Sequence, residues 1–326
     1  MLLSLTLIIT LLSTISGCIQ QEETSEDNNN NNTLYVGITH SDYRTIQEAI
    51  DAAENGVKII IKNGSYNELI VINKTITLIG EDKNTTIINF NPNYKISQVP
   101  IININADNCS IENLNITLSN NSVIAQGISI NSKNNTIKNN IITKVADGIE
   151  LSAYSESNTI INNEIKNNLI GIITSGSINN NISNNIFSNT EYNIYLSIDS
   201  DKNKVSFNTM NNSDYGIRIK GSQNNKVYKN CIKNNEIGIY CCCGAKSNHF
   251  YNNTLLHNSV RNAKENSGLY NIWYDYPNGN GNYWDDYTGI DENQDGLGDI
   301  PYEIDGAGNE DIYPLMTPPI DAPCNK

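Results

Sequence analysis

Residues 203–219, NKVSFNTMNNSDYGIRI, are one unit of a repeat that decides the fold of this chain. The next unit, residues 225–241, reads NKVYKNCIKNNEIGIYC and keeps the same marks in the same order. In each unit, two Asn-x-apolar blocks are followed by a Gly-Ile-x-apolar block. A fixed period of about 20–50 residues is typical of solenoids and other repeat arrays. The chain is therefore expected to fold as one long stack of similar units.

Six copies of the repeat follow one another at nearly constant spacing. The first apolar residue of each copy recurs at intervals of 23, 22, 23, 22 and 23 residues. These six positions are Ile137, Ile160, Ile182, Val205, Val227 and Phe250. The Gly-Ile block recurs at intervals of 21, 23, 22, 23 and 22 residues, with Asn193 in place of Gly in one copy. Two independent marks thus share one period.

Short strands joined by tight corners explain this pattern. Apolar residues alternate within each short run, as at Ile217 and Ile219, which favours strands over helices. The Asn and Gly residues between the runs tolerate positive φ, and Asn at equivalent corners can form ladders of side-chain amides. The repeat predicts an all-β fold, a single-stranded right-handed parallel β-helix of about nine coils, because parallel crossovers favour the right hand.

With these repeats, the chain resembles the pectin-lyase-like superfamily of right-handed parallel β-helix proteins. More closely, it resembles the NosD-like and the carbohydrate-binding and sugar-hydrolysis (CASH) proteins found on prokaryotic, especially archaeal, cell surfaces. The resemblance covers residues 33–316. It implies the fold strongly and an activity only weakly, because this fold hosts many functions.

The N-terminus has the pattern of an exported lipoprotein. Residues 2–15 are apolar and uncharged, a run too short to span a membrane comfortably, and Ile15-Ser16-Gly17-Cys18 then looks like a lipobox. We expect residues 1–17 to be a lipoprotein signal peptide and Cys18 to be lipidated. A plain cleaved signal and an uncleaved anchor are the alternatives, because the first residues contain no Lys or Arg. The expected location is the extracellular face of the cell membrane, reached through the lipid anchor, or the secreted fraction.

Three further segments follow the signal peptide. Residues 18–32 are an acidic, Asn-rich tether that cannot bury a core. Residues 33–274 are the β-helix, which opens with a capping α-helix after Thr45, where Thr45 and Glu48 fit a capping box. The helix covers the first coil, whose open edge would otherwise invite aggregation. Residues 275–326 are an acidic C-terminal cap segment.

The distribution of charge argues against nucleic acid as a partner. The formal net charge is -14, but residues 18–32 contribute four acids and residues 275–326 contribute twelve acids and one Lys. The body between them is therefore nearly neutral and rich in Asn, whereas nucleic-acid binding needs a basic face. Such a surface suits a neutral polar ligand such as a glycan. We expect a monomer that binds glycan or cell-surface polysaccharide.

One face of the Gly-Ile strands carries a candidate carbohydrate-binding site. If Ile and its i+2 neighbour point inward, the residues between them point outward, and Tyr195, Arg218 and Tyr240 then lie on adjacent coils about 4.8 Å apart. Tyr192 and Tyr215 lie at the preceding corner. We call these five residues the tyrosine–arginine strip. A sugar chain can lie along such a flat, aromatic and cationic strip, although aromatic stacking alone would also explain the tyrosines.

An acidic loop near the C-terminus resembles a calcium-binding loop. It supplies side-chain oxygens at positions 1, 3, 5 and 9, a Gly at position 6 and a backbone carbonyl at position 7, as calcium loops do. The predicted ligands are Asp291, Asn293, Asp295, Leu297 and Asp299. Position 12 is Tyr302 rather than an acid, so the bidentate ligand is missing and a metal-free Asx turn is the alternative. The predicted cofactor is a structural Ca²⁺ ion.

The cysteines allow a second kind of chemistry. Apart from Cys18 there are six, and Cys241, Cys242 and Cys243 are consecutive; by alternation, Cys241 should point inward and Cys242 outward. Outside the cytoplasm a disulfide is plausible, and the pairing stays open. Thiolates also suit Cu(I) or Zn²⁺, and the NosD resemblance implies a link to copper, but the spacing fits no metal motif.

The sequence thus favours one function and leaves two alternatives. The favoured reading is a cell-surface-anchored β-helix that binds or scaffolds glycan without catalysis, with no catalytic residue assigned. The first alternative is a polysaccharide lyase or glycoside hydrolase of the pectin-lyase-like superfamily, for which grouped carboxylates would be needed near Arg218. Asp147 and Glu150 lie three coils from Arg218. The second alternative is a copper-handling, NosD-like accessory protein.

Overall fold

The computed structural model describes residues 32–91, 97–119, 124–266 and 270–325. The expected signal peptide at residues 1–17, lipidation at Cys18 and nearly all of the tether at 18–32 lie outside these ranges and stay predictions. Within them, no helix has the length and apolar character needed to cross a bilayer.

The described chain winds into three parallel sheets of ten, nine and ten strands. Neighbouring strands in each sheet come from consecutive coils, with Val205 paired to Val227 and Ile217 paired to Ile239. The predicted right-handed parallel β-helix is confirmed, with about 10 turns. One coil more than expected is formed because a strand at Thr33–Val36 precedes the first strand counted from the sequence.

The first sheet contains the strands of the first Asn-x-apolar block. These are β1 (Thr33–Val36), β2 (Val57–Ile61), β5 (Ile76–Gly80), β8 (Ser110–Glu112), β11 (Thr136–Lys138), β14 (Thr159–Ile161), β17 (Asn181–Ser183), β20 (Lys204–Ser206), β23 (Lys226–Tyr228) and β26 (His249–Tyr251).

The second sheet contains the strands of the second Asn-x-apolar block. These are β3 (Gly64–Tyr66), β6 (Thr86–Phe90), β9 (Asn115–Leu118), β12 (Ile141–Thr143), β15 (Glu164–Lys166), β18 (Ile186–Ser188), β21 (Thr209–Asn211), β24 (Cys231–Lys233), β27 (Thr254–Leu256) and β29 (Tyr283–Trp284).

The third sheet contains the Gly-Ile strands. These are β4 (Ile70–Ile72), β7 (Ser97–Ile104), β10 (Ile124–Ile130), β13 (Asp147–Leu151), β16 (Ile170–Thr174), β19 (Tyr192–Leu196), β22 (Tyr215–Lys220), β25 (Ile237–Cys242) and β28 (Arg261–Glu265). A separate antiparallel pair, β30 (Tyr302–Glu303) and β31 (Glu310–Asp311), lies in the C-terminal segment.

The apolar repeat positions form columns in the core. The six residues that define the first block, from Ile137 to Phe250, are fully buried and paired one above another. Gly216 shows why Gly recurs in the third sheet, since a Cβ there would lie 2.5 Å from both the Gly238 carbonyl oxygen and Ile232 Cγ2. A larger residue at this position in β22 would separate the coils.

Buried Asn side chains form two ladders along the stack, as the sequence predicts. In one ladder the Oδ1 atom of Asn185 accepts the backbone N–H and the side-chain amide of Asn163, at 2.9 and 3.0 Å. The Nδ2 atom of Asn185 donates to Oδ1 of Asn208 and to the carbonyl of Ile160. The residues of this ladder are Asn140, Asn163, Asn185, Asn208, Asn230, Asn253 and Asn282.

The residue just before six of the seven ladder Asn residues turns the corner with positive φ. The φ angles at these corners lie between 54° and 58° at Asn139, Asn162, Asn184, Phe207, Lys229 and Asn252. Asn tolerates this left-handed region better than other non-Gly residues. Phe207 and Lys229 are therefore exceptions in a column that otherwise holds Asn.

Both ends of the stack are covered. At the N-terminal end, α1 (Ile46–Ala52) buries Ile46, Ala49 and Ile50, and Thr45 Oγ1 accepts the Glu48 N–H at 3.3 Å, as the capping box predicts. At the C-terminal end Trp273 stacks on Phe250, with ring centroids 4.2 Å apart. The chain is thus closed where exposed strand edges would otherwise pair with other molecules.

A C-terminal segment continues the core beyond the repeats. Trp284 packs beside Trp273 and stacks on Tyr302, whose ring centroid lies 4.1 Å away. The buried carboxylate of Asp311 accepts the Trp284 Nε1–H at 2.9 Å. A short 3₁₀ turn, Pro323–Asn325, then returns to the second sheet, where Cys324 forms a disulfide with Cys231.

We predict that Asn185→Ala lowers the free energy of unfolding by about 2–4 kcal/mol, because buried donors of Asn163 and the Ile160 carbonyl lose their partners. Urea unfolding followed by circular dichroism measures this change. The matched control is Asn181→Ala in the same coil, since the Asn181 side chain is half-buried and makes only a 3.5 Å contact with Ser183. Equal effects of the two substitutions would show that the ladder does not stabilise the coil.

Candidate functional site

The tyrosine–arginine strip lies on the outer face of the third sheet, on β19, β22 and β25. The pairing places Tyr195, Arg218 and Tyr240 in one column, and Tyr192 beside Tyr215 in the next. All five side chains are half-buried rather than fully exposed. The predicted adjacency of these residues on consecutive coils is therefore present in the structure.

The tyrosine rings stack along the helix axis. The centroids of Tyr192 and Tyr215 are 4.9 Å apart with planes at 13°, and those of Tyr215 and Tyr240 are 5.9 Å apart at 23°. Tyr195 stacks on Tyr192 at 5.3 Å. Stacked aromatic rings on a parallel sheet form a flat apolar platform with hydroxyl groups at its edge.

Arg218 lies among these rings. Its guanidinium carbon is 5.3, 5.2, 5.9 and 5.7 Å from the ring centroids of Tyr192, Tyr195, Tyr215 and Tyr240. At such distances a cation is attracted to the ring faces. Nη1 also donates to the Tyr192 hydroxyl at 2.9 Å. The sequence placed the arginine beside two tyrosines but did not indicate that four would surround it.

Electrostatics keep the strip cationic. Burial lowers the pKa of the Arg218 guanidinium, but its hydrogen bond with the Cys242 thiol and the hydroxyls of Tyr192 and Tyr195 raise that pKa, and the net change is upward. Burial raises the pKa of Tyr192 to about 12, so its hydroxyl stays protonated. Arg218 Nε is buried and has no hydrogen-bond partner among the residues that the structure describes.

Two carboxyl groups lie farther along the same face. Asp147 is separated from Tyr192, and Glu150 from Tyr195, by one intervening strand, β16. Burial, and then the charge of Glu150, raise the pKa of Asp147 to about 6. Burial also raises the pKa of Glu150, against the hydrogen bond that it accepts from Gln126. The sequence alone assigned no catalytic or binding role to Asp147 and Glu150.

The cysteines occupy three different environments. Cys241 points inward and is fully buried, as alternation predicts. Cys242 lies on the outer side but is nearly buried, and its sulfur is 3.1 Å from that of the exposed Cys243. Cys231, expected on an outer face, is covered because it forms the disulfide with Cys324.

The acidic loop at residues 291–299 is held by its own side chains. The Asp291 carboxylate accepts the N–H groups of Asp295 and Gly296, at 3.2 and 2.9 Å. Asn293 Oδ1 accepts the Asp295 N–H at 2.9 Å. Each carboxylate has acceptor capacity beyond these bonds, because two oxygens offer about four lone-pair sites.

The remaining predicted ligands of this loop also make local bonds. Asp299 Oδ2 accepts the Glu292 N–H at 2.6 Å, and Asp295 Oδ1 accepts the Leu297 N–H at 2.9 Å. Within the described ranges, no three His, Cys, Asp or Glu side chains converge as they would around a metal ion. The oxygen types fit calcium, and the calcium site stays a prediction.

A family comparison identifies the chain. Residues 81–289 match the family described as periplasmic copper-binding protein (NosD), and this match spans more than half of the chain. The chain belongs to the NosD family. The resemblance drawn from the repeats is thereby confirmed, and the periplasmic description of the family indicates a location outside the cytoplasm. Among curated protein sequences, none matches this NosD-family chain.

Solved structures similar to this NosD-family chain support its fold. The A-module of mannuronan C-5 epimerase AlgE6 from Azotobacter vinelandii has a TM-score of 0.54 at 15% identity, over 69% of this chain and 74% of the module. XylC in complex with xylose has a TM-score of 0.58 at 12% identity, over 73% of this chain and 68% of XylC. Pectate lyase Pel9A has a TM-score of 0.51 at 15% identity, over 67% of this chain and 73% of the lyase. At these identities the likeness shows the β-helix fold alone.

The NosD description raises the question of copper ligands. Cys242 and Cys243 supply two neighbouring sulfurs. No third His, Cys, Asp or Glu side chain joins them in a metal-binding group anywhere in the described residues. These residues do not form a complete copper site, and we derive no copper chemistry from them. Copper handling stays an alternative for this member of the family.

We expect about 2 mM CaCl₂ to raise the melting temperature by about 2 °C if the acidic loop binds calcium, since extracellular calcium modules bind in the range of about 0.1–1 mM. Asp295→Asn should reduce that rise, because it removes a charged oxygen at position 5 of the loop. Differential scanning calorimetry measures the change, with MgCl₂ and Asp214→Asn, an exposed acid outside the loop, as controls.

Two results would contradict the calcium prediction. One is an unchanged melting temperature in CaCl₂, and the other is an equal rise in the Asp295→Asn chain. Elemental analysis of the purified protein adds an independent readout, because copper or zinc in place of calcium would favour the metal-handling alternative.

The carboxyl of Asp147 should make stability fall as pH rises. The folded chain holds this proton up to about pH 6, because the pKa of Asp147 is raised, whereas an unfolded Asp releases it near its ordinary pKa of 3.8. The stabilisation that this protonated carboxyl contributes is thus greatest below pH 3.8 and is lost as pH rises through about 6. Asp147→Asn should remove that part of the decrease in unfolding free energy between these pH values. Urea unfolding at several pH values measures this pH dependence. If Asp147→Asn and the exposed-acid control Glu236→Gln show the same pH dependence of the unfolding free energy, Asp147 is not its source.

Proposed function

We propose that this NosD-family protein binds glycan outside the cytoplasm, along the tyrosine–arginine strip, and acts as a non-catalytic binding or scaffolding protein at the cell surface. The observation that carries the proposal is the strip itself, an aromatic and cationic platform that continues across three adjacent coils. It also rests on the lipid anchor predicted at Cys18, which would hold the protein at the membrane.

The chemistry of the strip suits a sugar chain. Aromatic faces bind the C–H face of a pyranose ring, while hydroxyls at the ring edges exchange hydrogen bonds with sugar hydroxyls. Arg218 adds a positive charge, and a guanidinium has five N–H donors suited to hydroxyl or carboxylate acceptors. The rings of Tyr192, Tyr215 and Tyr240 follow the helix axis, so a linear chain could meet them in succession.

The neutral body of the protein is consistent with this ligand. A nearly uncharged, Asn-rich surface neither repels nor strongly attracts ions, and it offers many amide donors and acceptors. Two proteins that share the fold are named for sugar polymers, mannuronan and pectate, and a third, XylC, was solved in complex with xylose. These names support a glycan ligand here but do not identify it.

A second candidate function is catalysis on an acidic polysaccharide. It is favoured by one observation, the Asp147–Glu150 pair on the same face as Arg218. General acid catalysis needs a carboxyl that keeps its proton near the working pH, and the pKa of Asp147, raised by burial to about 6, has this property. The pair lies on β13, two strands before the first tyrosines of the strip.

We expect Arg218→Ala and Tyr195→Ala each to weaken glycan binding by about five- to twelvefold, because each removes a cation–π or stacking contact of about 1–1.5 kcal/mol. A glycan array followed by titration of the best ligand measures the affinity. Tyr154→Ala is the control, since Tyr154 is 85% exposed and lies outside the strip.

The outcomes separate the two candidates. Absence of glycan binding by the wild-type chain, or equal loss in Tyr154→Ala, would contradict a binding strip. Release of reducing ends or of unsaturated uronate from an acidic glycan, abolished by Asp147→Asn, would instead establish the enzyme.

A further inference from the structure

The outer face of the second sheet carries a cleft that the strip does not involve. It has a volume of about 370 Å³ and lies between β18, β21 and β24 on one side and the C-terminal residues Asp321 and Pro323 on the other. Its lining includes Phe207, Asn184, Asn211 and Pro323. The strip lies on the third sheet, so the two features use different faces of the β-helix.

The C-terminal wall of the cleft is fixed in place. The disulfide between Cys231 and Cys324 attaches it to β24, and the Lys229 ammonium lies 2.6 Å from the Asp321 carboxylate. Thr209 Oγ1 adds a weak hydrogen bond to the Pro323 carbonyl. The cleft is thus a formed concavity between two anchored surfaces, as expected of a binding site.

Phe207 occupies a corner that does not suit it. Its φ is 55°, in the column where four of the six corners are Asn. A bulky aromatic residue in this left-handed region costs free energy that Asn largely avoids. The Phe207 ring is held edge-on by Tyr228, with centroids 6.2 Å apart, and by the Lys229 ammonium at 5.5 Å. An aromatic ring is thereby kept half-exposed at the cleft.

Amide groups with unused hydrogen-bonding capacity surround this ring. The side chains of Asn162, Asn184 and Asn211 line the cleft and make no hydrogen bond with any residue that the structure describes. The ladder residues next to two of them, Asn163 and Asn185, are in contrast saturated. Each free amide offers two donors and an acceptor to a ligand.

The charges of the cleft are paired within the protein. Asp321 pairs with Lys229, and Lys233 Nζ donates to the Cys324 carbonyl at 3.3 Å. Lys233 and Asp321 are the charged residues of the lining, and each makes one of these contacts. The chemistry that remains for a ligand is one aromatic face, the 52%-exposed side chain of Ile186 and several amides.

We propose that this cleft is a second saccharide site, which takes a neutral pyranose unit with its C–H face on Phe207 and its hydroxyls on the amides of Asn162, Asn184 and Asn211. A flat ring with one apolar face and polar groups at its edge matches this lining. A second site on another face would let one molecule hold two glycan segments, and avidity would follow from their proximity. The site does not require the strip to bind glycan.

Saturation-transfer NMR tests the proposal on the purified chain. The probes are methyl β-glucopyranoside, methyl α-mannopyranoside, methyl β-xylopyranoside and N-acetylglucosamine at millimolar concentration. We expect ring-proton saturation for at least one probe, a saturation signal about tenfold smaller in Phe207→Asn, and an unchanged signal in Tyr154→Ala, whose exposed side chain lies outside both the strip and the cleft. Phe207→Asn restores the residue that most corners of the column carry, so we expect it to melt no lower than wild type.

A second variant tests the wall. Cys324→Ser releases the C-terminal residues from β24 and should weaken the same signal, while a spectrum of the folded chain shows that the coils persist. Saturation that survives in Phe207→Asn, or none with any of the four probes, would overturn the proposal. Loss in Tyr195→Ala with retention in Phe207→Asn would assign the sugar to the strip and also overturn it.

Discussion

Hydrogen bonds between buried Asn side chains on successive coils are the constraint on which the rest of the structure depends. Each ladder Asn satisfies the backbone and the amide of the coil before it, so no coil completes its own polar interior. This requirement holds the strands on either side of each ladder in register from one coil to the next. Outward side chains then align in columns, and both candidate surfaces are consequences of that alignment.

Much of the fold could be predicted because the repeat encodes it directly. The spacing of Ile137 and its equivalents gave the coils, and alternation at Ile217 and Ile219 gave the inward and outward sides. The predicted order of Tyr195, Arg218 and Tyr240 followed from the same period. What could not be predicted depends on contacts that no repeat specifies. One such contact is the enclosure of Arg218 by four tyrosine rings. Another is the disulfide that brings the C-terminal residue Cys324 back to Cys231 and covers Cys231.

The two outer faces differ in how their residues relate to the scaffold. On the third sheet, the tyrosines and Arg218 hold one another, and only part of each ring remains for a ligand. On the second sheet, the amides of Asn162 and Asn184 are unengaged, and Phe207 departs from the corner pattern around it. That departure is visible in the sequence as a Phe before Asn208, but its meaning depends on where the C-terminal residues lie. The NosD family match adds the family and its compartment without choosing between these surfaces.

The disulfide between Cys231 and Cys324 has a mechanical consequence. A solenoid can unravel from its ends, because each turn is held only by its neighbours. Here the final residues are joined covalently to a coil 93 positions earlier, so the last turns lie inside a closed loop. Unfolding that starts at the C-terminus therefore cannot pass β24 while the disulfide is intact. A protease that cleaves an exposed corner within this loop leaves the two fragments joined by the disulfide.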